Sequence, residues 1–331
     1  MHINISNIPS NNLIKPKKRN ISGVLLLDKP YGISSNKALQ TAKQLFVAAK
    51  CGHTGTLDPM ATGLLPVCFG EATKFSSILL GANKTYEATL KLGFMSTTGD
   101  AEGLISQVAA TVQNPTFTQC QQTLTQFIGI IKQMPPMFSA LKHHGKPLYC
   151  YARNGEVIER QAREIVIHEI QIQSLNHNEL QLSIQCGTGT YIRVLAEDIG
   201  KAMGCGGAYL TGLRRSAIDR FDLSQAYSLI ALENMSLSER DNSLLPIDYL
   251  LHDYPSITLD RLNALHIQQG RNIVFPENIS EMMKDRKLIR LYSEQHQFLG
   301  LGEITIEQTI TAKRLLSDSY LLEYATQNFS G

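Results

Sequence analysis

Strict alternation of apolar and polar side chains in two segments limits the chain to a fold built around a half-buried sheet. The apolar sets are Tyr86, Ala88, Leu90 and Leu92 in the first segment and Leu180, Leu182, Ile184 and Cys186 in the second. Because successive side chains of a strand point to opposite faces, each segment predicts a strand with one face on a core. Continuous apolar runs at 21–27 and 64–69 predict two further, buried strands. Helical patterns occur between these strands without a regular strand–helix–strand rhythm, so the sequence predicts an α+β fold with a mixed, largely antiparallel sheet.

Two helices are predicted beside these strands. Ser34 or Ser35 can cap the first helix, and the second is expected to open at Thr190 and to close at Gly204. Their apolar faces are Leu39, Ala42, Leu45 and Phe46 in the first and Leu195, Ile199 and Met203 in the second. This spacing is typical of helices that cover one face of a sheet.

The length of 331 residues is enough for about two domains. Residues 1–20 are polar and basic, and they predict a flexible arm. Residues 21–250 are predicted to form the main domain. Residues 251–331, with strand-like runs at 288–292 and 298–302, predict a smaller, β-rich C-terminal domain.

Charge is distributed unevenly, although the net charge is only +2. Residues 132–163 contain six Lys or Arg and two Glu, whereas residues 221–260 contain one Arg and seven acids. A chain polarised in this way can present a basic face to a polyanion. Residues 134–163 in particular predict an extended basic insertion. Ordinary solvated surface charge explains the same distribution, so the charge pattern alone leaves both interpretations open.

Several protein classes are excluded by what the sequence lacks. No apolar run reaches the ~18 residues of a membrane span, and the N-terminus lacks the pattern of a signal peptide. The six cysteines have no Cys-x-x-Cys or paired spacing, which argues against a zinc site and a disulfide framework. The sequence therefore predicts a cytoplasmic protein without a metal.

A glycine-rich segment, Gly52–Gly63, holds the first candidate for chemistry. Its sequence is Gly-His-Thr-Gly-Thr-Leu-Asp-Pro-Met-Ala-Thr-Gly. The glycines allow the backbone to approach a ligand closely, and Pro59 restricts Asp58 to an extended conformation that fixes the direction of its side chain. A carboxylate held in this way can act as a nucleophile or a base. A glycine-rich turn with a structural aspartate fits the same residues.

A second segment, Gly187–Arg193, lies where a predicted strand ends and a predicted helix starts. Arg193 is always charged and can hold a carboxylate in a bidentate pair. If Arg193 reaches Asp58, it would keep that carboxylate ionised and oriented. The alternative is an ordinary surface pair between Arg193 and Glu197, one turn further along the helix.

Two other features also have structural and functional interpretations. Tyr86 lies on the apolar face of its strand, where a phenol can stack on a base and exchange a proton, or can simply pack in the core. The acidic segment Asp100–Gly103 has no histidine or third acid at ligand spacing, so a solvated turn is favoured over a metal site.

Taken together, these segments resemble the TruB family of tRNA pseudouridine synthases. The matching segments, in the same order and spacing, are Gly23–Pro30, Gly52–Gly63, Lys84–Tyr86, Thr98–Gly103, Ser139–Lys142 with Leu148 and Tyr149, Gly189–Arg193 and Leu213–Arg215. The match is close over about residues 21–220 and looser in the tail. Several long motifs in register are specific, whereas any one of them alone would not be.

The resemblance implies a reaction and a set of roles. The family converts uridine 55 in the T loop of tRNA to pseudouridine without a cofactor. By resemblance, the catalytic residues are Asp58, Arg193 as its partner, and Tyr86, which would stack on the flipped base and take the C5 proton. His53 would fill the space that the flipped base leaves, and Tyr191 and Leu213 would line the uracil pocket.

The resemblance also implies partners and an organisation. The insertion 134–163 corresponds to a thumb-like loop that closes over the T loop, and the C-terminal domain corresponds to a PUA-like RNA-binding domain. The expected partner is the T-stem-loop of tRNA, bound by a monomer that needs no protein partner. An RNA-folding protein on the same scaffold and a guide-RNA-dependent relative remain as alternatives.

Overall fold

The computed structural model describes residues 17–108, 115–274 and 287–328. The strands are β1 (Gly23–Lys29), β2 (Cys51–His53), β3 (Thr62–Phe69), β4 (Lys84–Leu92), β5 (Phe94–Ser96), β6 (Ile105–Gln107), β7 (Gly129–Gln133), β8 (Lys142–His143), β9 (Lys146–Pro147), β10 (Arg163–Asn176), β11 (Glu179–Cys186), β12 (Ala208–Ile218), β13 (Phe221–Asp222), β14 (Tyr227–Ser228), β15 (Ser256–Leu259), β16 (Ile273–Val274), β17 (Leu288–Ser293), β18 (Phe298–Ile304) and β19 (Thr309–Leu315). The α-helices are α1 (Ser35–Leu45), α2 (Ser76–Leu80), α3 (Phe117–Leu124), α4 (Leu148–Arg153), α5 (Ile192–Ala202), α6 (Leu229–Asn234), α7 (Leu237–Asn242), α8 (Arg261–Gln268) and α9 (Asp318–Asn328). Short 3₁₀ turns lie at Gly70–Lys74, Thr125–Phe127, Leu223–Gln225 and Ile247–Leu251.

The main sheet confirms the predicted fold class. Its strand order is β14–β1–β3–β12–β4–β11–β10–β7, with β2 also paired to β3 and β13 to β12. The pairs β1–β14 and β3–β12 are parallel, and the other pairs in this sheet are antiparallel. Helices lie against this sheet without a repeated strand–helix–strand unit, so the domain is α+β with a mixed, largely antiparallel sheet.

The alternating segments became the central strands β4 and β11. Their predicted apolar faces are turned to one core, where Ala88, Leu90, Leu180 and Ile184 are each almost fully buried. Helices α1 and α5 cover that core with the predicted apolar faces. The alternation was therefore a reliable guide, because each of these strands has only one face against this core.

Strands β1 and β3 are buried on both faces, which explains their continuous apolar sequences. Leu25 and Leu27 point into the core beneath α1 and α5, whereas Val24 and Leu26 point into a second core on the opposite face of the sheet. A strand buried on both sides needs apolar residues at successive positions, so it shows no alternation.

The second core joins the main domain to a C-terminal module. This module is a five-stranded sheet in the order β15–β17–β18–β19–β16, and its residues Ile257, Leu291 and Ile310 share the second core with Val24 and Leu26. Leu250 and Leu251 are also buried in that core. The division of the chain at residue 251 stays a prediction, since apolar contacts continue across it.

The predicted arm, 1–20, falls mostly outside the described residues, which begin at Lys17. Arg19 lies against the main domain: its backbone pairs with Val47 and Ala49, and its guanidinium pairs with Asp241. The last residues of the predicted flexible arm are thus attached to the folded domain.

Among the described residues, no helix combines the length and the apolar character needed to cross a membrane.

Two features near the start of α5 refine the predictions. The helix begins at Ile192, with Tyr191 in the capping position, rather than at Thr190. The hydroxyl of Thr190 donates to the Gly187 carbonyl (3.1 Å) and does not cap the helix.

The basic insertion leaves the sheet after β7, forms the β8–β9 hairpin and α4, and returns as β10.

Candidate active site

The loop that carries Asp58 is fixed on both sides by buried polar side chains. The hydroxyl of Ser35, at the start of α1, accepts from the Leu57 N–H and donates to the Leu57 carbonyl, each at 2.8 Å. On the other side, Lys29 is fully buried and its Nζ donates to the Pro59 carbonyl at 3.3 Å. Gly63 ends the loop, and a Cβ there would lie 2.3 Å from the Arg215 carbonyl. The backbone around Asp58 is therefore preorganised before any ligand arrives.

Arg193 meets Asp58, as the sequence suggested. Its Nε lies 2.9 Å from Oδ2 of Asp58, and the arginine side chain is 5% exposed. The contact uses Nε and not a bidentate fork, because Nη1 donates to the Thr98 carbonyl (2.6 Å) and Nη2 to the Phe138 carbonyl (2.7 Å). The alternative partner, Glu197, pairs instead with Lys201 at 2.5 Å, so that interpretation is wrong.

Asp100 is a buried member of the same cluster, and the solvated-turn interpretation is wrong for it. Its Oδ2 lies 3.7 Å from Nε of Arg193, and the residue is 2% exposed. Its Oδ1 accepts from the Thr98 hydroxyl (2.5 Å) and the Glu102 N–H (3.1 Å). The available signal was the Thr98-Gly-Asp100 spacing, which favours local side-chain hydrogen bonds.

Neighbouring groups have opposite effects on the pKa of the Asp58 carboxyl. Burial raises the pKa of the Asp58 carboxyl above its usual range, the charge of Arg193 opposes that rise, and the nearby Asp100 adds to it. Its side chain is still 38% exposed, so it can reach a ligand. A partly desolvated carboxylate whose charged form is favoured by a neighbouring arginine is suited to act as a nucleophile or a base.

Asp58 opens into a pocket of about 250 Å³ that collects most of the predicted site residues. Asp58, Tyr86, Tyr191, Arg193 and Leu213 all line it. They come from the loop after β2, from β4, from the start of α5 and from β12, so the sheet and one helix end bring together residues that are far apart in sequence. Burial raises the pKa of the Tyr86 phenol, which favours its neutral form.

His53 is the predicted site residue that does not line this pocket. It lies on β2, opposite Val67 of β3. Its Nδ1 is buried with no hydrogen-bond partner among the described residues. Burial, with the charge of Arg215, lowers the pKa of the imidazole. A role for His53 beside a flipped base stays a prediction.

Two buried cations in the pocket wall were not singled out from the sequence. Arg215 is 1% exposed and donates to the carbonyls of Leu64 (2.7 Å) and Gly55 (3.3 Å). Lys84 donates to three carbonyls at the end of α2, and burial lowers its pKa to about 8. Arg215 could have been found from the sequence, because it lies two residues after Leu213 and therefore on the same face of β12.

Family models match residues 43–316 almost without interruption. Residues 43–192 match the N-terminal domain of the TruB family of pseudouridylate synthases. Residues 193–252 match the C-terminal domain of tRNA pseudouridylate synthase B, and residues 255–316 match the TruB C-terminal domain of pseudouridine synthase II. Together these matches extend from α1 into the last strand of the C-terminal module.

Known proteins resemble the chain over most of its length. A tRNA pseudouridine synthase B of Nitrosospira multiformis is 57% identical over 90% of this chain and 96% of that protein. The protein of the same name from Nitrosomonas europaea is 53% identical over 88% and 95% of the two chains. Both relatives are covered over almost their whole length, so the similarity is not limited to one domain.

Solved structures share the fold at lower sequence identity. A chain of a Cbf5–Nop10–Gar1 complex aligns with a TM-score of 0.65 at 24% identity, over 86% of this chain and 78% of that chain. A chain of an H/ACA ribonucleoprotein bound to a substrate RNA aligns with the same TM-score at 20% identity, over 89% and 85% of the two chains. With family models and close relatives in agreement, the chain belongs to the TruB family of pseudouridylate synthases.

Proposed function

We propose that this protein isomerises uridine 55 in the T loop of tRNA to pseudouridine, with Asp58 as the catalytic residue and without a cofactor. The observation that carries the proposal is the 2.9 Å contact between Asp58 and the buried Arg193 at the mouth of the pocket. The names of the curated relatives, tRNA pseudouridine synthase B, support tRNA as the substrate.

The reaction is an isomerisation, so it neither gains nor loses atoms overall. The bond between N1 and C1′ breaks, the base rotates, and C5 bonds to C1′; the proton leaves C5 and a proton is taken up at N1. Asp58 acts by attacking the sugar, by attacking the ring, or by removing the 2′ hydrogen. Each route requires the ionised carboxylate, and Arg193 supplies the positive charge that favours ionisation.

The target base must leave the RNA stack, because a stacked base hides C1′ and C5 from a side chain. We assign to Tyr86 the role of stacking on the flipped base, with Tyr191 and Leu213 along the pocket wall. Splayed RNA bases are commonly held on aromatic and apolar surfaces of this kind. Burial raises the pKa of the Tyr86 phenol, so the ring would meet the base as a neutral phenol; we assign to it stacking and, through its oxygen, a part in removal of the C5 proton.

The basic insertion is assigned the role of holding the T-stem-loop over the pocket. Lys142, Lys146 and Arg153 are exposed on it, and Lys146 and Arg153 lie over the rings of Tyr151 (4.6 Å) and Tyr149 (5.4 Å). These aromatic contacts leave the cations at the surface, where they can meet phosphates. The C-terminal module is assigned the role of a further RNA contact.

Binding of a T-stem-loop RNA should weaken steeply as salt rises. A triple variant, Lys142→Ala with Lys146→Ala and Arg153→Ala, is expected to reduce the slope of log affinity against log salt by about 2–3, because each phosphate contact releases counterions. Filter binding at several salt concentrations measures this. The double variant Glu156→Gln with Glu159→Gln is the control: it removes two negative charges from the same insertion and should strengthen binding. An unchanged slope in the triple variant would remove the insertion from the RNA interface.

The experiment that tests the proposed function uses the protein alone. Tritium should be released from a bare T-stem-loop RNA carrying C5-tritiated uridine, because the C5 proton is lost when C5 bonds to C1′. Release only after addition of a guide RNA would indicate a guide-dependent enzyme. Accelerated tRNA folding with no release would indicate an RNA-folding protein, and either result would overturn the proposal.

We further infer that the protein acts as a monomer in the cytoplasm and needs no protein partner. All six cysteines lie in described segments and no disulfide joins any of them, which is compatible with a reducing compartment. The complete cluster of Asp58, Arg193 and Tyr86 within one chain supports activity without a second subunit.

A further inference from the structure

Gln133 is a buried polar residue that does not line the pocket of Asp58. It is 2% exposed and ends β7, the edge strand of the main sheet. Its side-chain amide makes two hydrogen bonds with the backbone of Tyr191: Oε1 accepts from the Tyr191 N–H at 2.8 Å, and Nε2 donates to the Tyr191 carbonyl at 3.1 Å. The orientation of the amide is fixed, since the backbone N–H can only donate and the carbonyl can only accept.

Tyr191 is the residue from which α5 starts. It occupies the capping position, its own side chain makes no capping bond, and its carbonyl accepts the first helical hydrogen bond, from the Leu195 N–H at 3.1 Å. Gln133 therefore holds the backbone of this capping residue from a distant strand, and its bond to the Tyr191 N–H is the one that the glutamate or glutamine of a capping box would make. Because Arg193 lies two residues into this helix, the anchor also sets where its guanidinium meets Asp58.

The basic insertion is attached to the same point. It begins one residue after Gln133 and ends at Arg163, and these two residues are cross-strand partners in the β7–β10 pair. The guanidinium of Arg163 donates to the Gly189 carbonyl at 2.5 Å and lies 5.2 Å from the ring centre of Tyr191. Further along the insertion, the Phe138 carbonyl accepts from Arg193 at 2.7 Å.

We infer that Gln133 is a positioning residue: its amide holds the start of α5, and so places Tyr191 and Arg193 against Asp58, at the root of the insertion that is assigned to RNA binding. The inference rests on the proposed function for the reaction that it serves. Contacts from three residues, Gln133, Phe138 and Arg163, join this root to the segment 189–193.

The test uses the full chain with Gln133→Met, which keeps the volume and removes both hydrogen bonds. The single-turnover rate of pseudouridine formation should fall roughly 100-fold, because a small misplacement of catalytic groups is costly, while RNA affinity stays at the wild-type value. Hydrogen exchange of the Tyr191 amide should rise, since its acceptor is lost. A rate close to that of the wild type, or losses of rate and affinity that are equal, would overturn the inference.

A conservative variant and a matched control complete the experiment. In Gln133→Glu one carboxyl oxygen still accepts from the Tyr191 N–H, and the protonated carboxyl can also donate to the Tyr191 carbonyl. This variant should therefore retain more amide protection and more of the rate than Gln133→Met, increasingly so as the pH falls; it also carries the comparison if Gln133→Met does not fold. Gln126→Met alters an exposed glutamine whose amide donates to the Thr123 carbonyl (3.0 Å), far from the start of α5 in sequence, and it should leave rate and exchange unchanged. A Gln133→Glu variant that loses as much rate and protection as Gln133→Met even at the lowest pH at which the protein is folded would count against the anchor.

Failure of the proposed function gives a different result. If the wild-type protein releases no tritium, the proposed reaction is wrong, and the exchange of the Tyr191 amide still decides whether Gln133 anchors α5. Unchanged exchange in both variants would then remove the positioning role as well.

Discussion

Asp58→Asn should reduce tritium release from T-stem-loop RNA to background, a loss of at least about 10⁴-fold in the single-turnover rate. Of the described residues that line the pocket, Asp58 alone carries a carboxylate. The amide has the same size and can still accept a hydrogen bond from Nε of Arg193, so the loop and the pocket should keep their shape. It has no negative charge, however, and cannot serve as nucleophile or base in any of the three routes. RNA binding should therefore persist while catalysis is lost.

The control for this variant is Asp241→Asn, which weakens a different Arg–Asp pair, that with Arg19. Neither Arg19 nor Asp241 lines the pocket. This control should release tritium at the wild-type rate, and its RNA affinity should also be unchanged. Full tritium release by Asp58→Asn would show that the chemistry does not depend on Asp58, and the assignment of this site would be lost.

The fold was predictable where the sequence pattern reports on one strand or helix at a time. The alternation in β4 and β11 follows directly from their single buried face, and Ser34 accepts from the Lys37 N–H as a cap should. The continuous apolar run of β1 predicted a buried strand, but it could not show what covers each of its two faces. Which face meets the C-terminal module depends on contacts between residues more than 200 positions apart, such as Lys74 Nζ with the Leu315 carbonyl (3.0 Å).

The candidate site was predictable where a motif fixes its own geometry. Pro59 and the flanking glycines pointed to Asp58, and the helix-start position pointed to Arg193. The buried polar partners were not accessible in this way. Asp100 and Gln133 look like ordinary surface residues in sequence. Gln133 is buried because the Tyr191 backbone, from another part of the chain, satisfies its hydrogen bonds. Asp100 is buried because the charge of Arg193 lies 3.7 Å from its carboxylate, in addition to its local hydrogen bonds. Such pairings are set by tertiary structure and not by local pattern.

Arg193→Ala should lower the single-turnover rate by about 10²–10³-fold and leave RNA affinity nearly unchanged. The guanidinium is 5% exposed and is surrounded by protein groups, the carboxylates of Asp58 and Asp100 and the carbonyls of Thr98 and Phe138, so the RNA has little access to it. Its removal leaves Asp58 beside Asp100 without an intervening positive charge. The pKa of the Asp58 carboxyl, which burial already raises, should then rise further, and less of it is ionised at neutral pH.

Arg193→Lys separates the charge of this residue from its shape. A lysine supplies positive charge but cannot donate at once to Asp58, Thr98 and Phe138 in the planar arrangement of a guanidinium, so we expect only partial recovery of the rate. Arg240→Ala is the matched control, because Arg240 also donates to main-chain carbonyls, those of Leu232 and Leu45, and does not line the pocket. It should lower thermal stability without a selective loss of rate. Equal losses of rate and RNA affinity in Arg193→Ala would instead make Arg193 an RNA contact, since a residue that acts through Asp58 changes the chemical step and not the binding step.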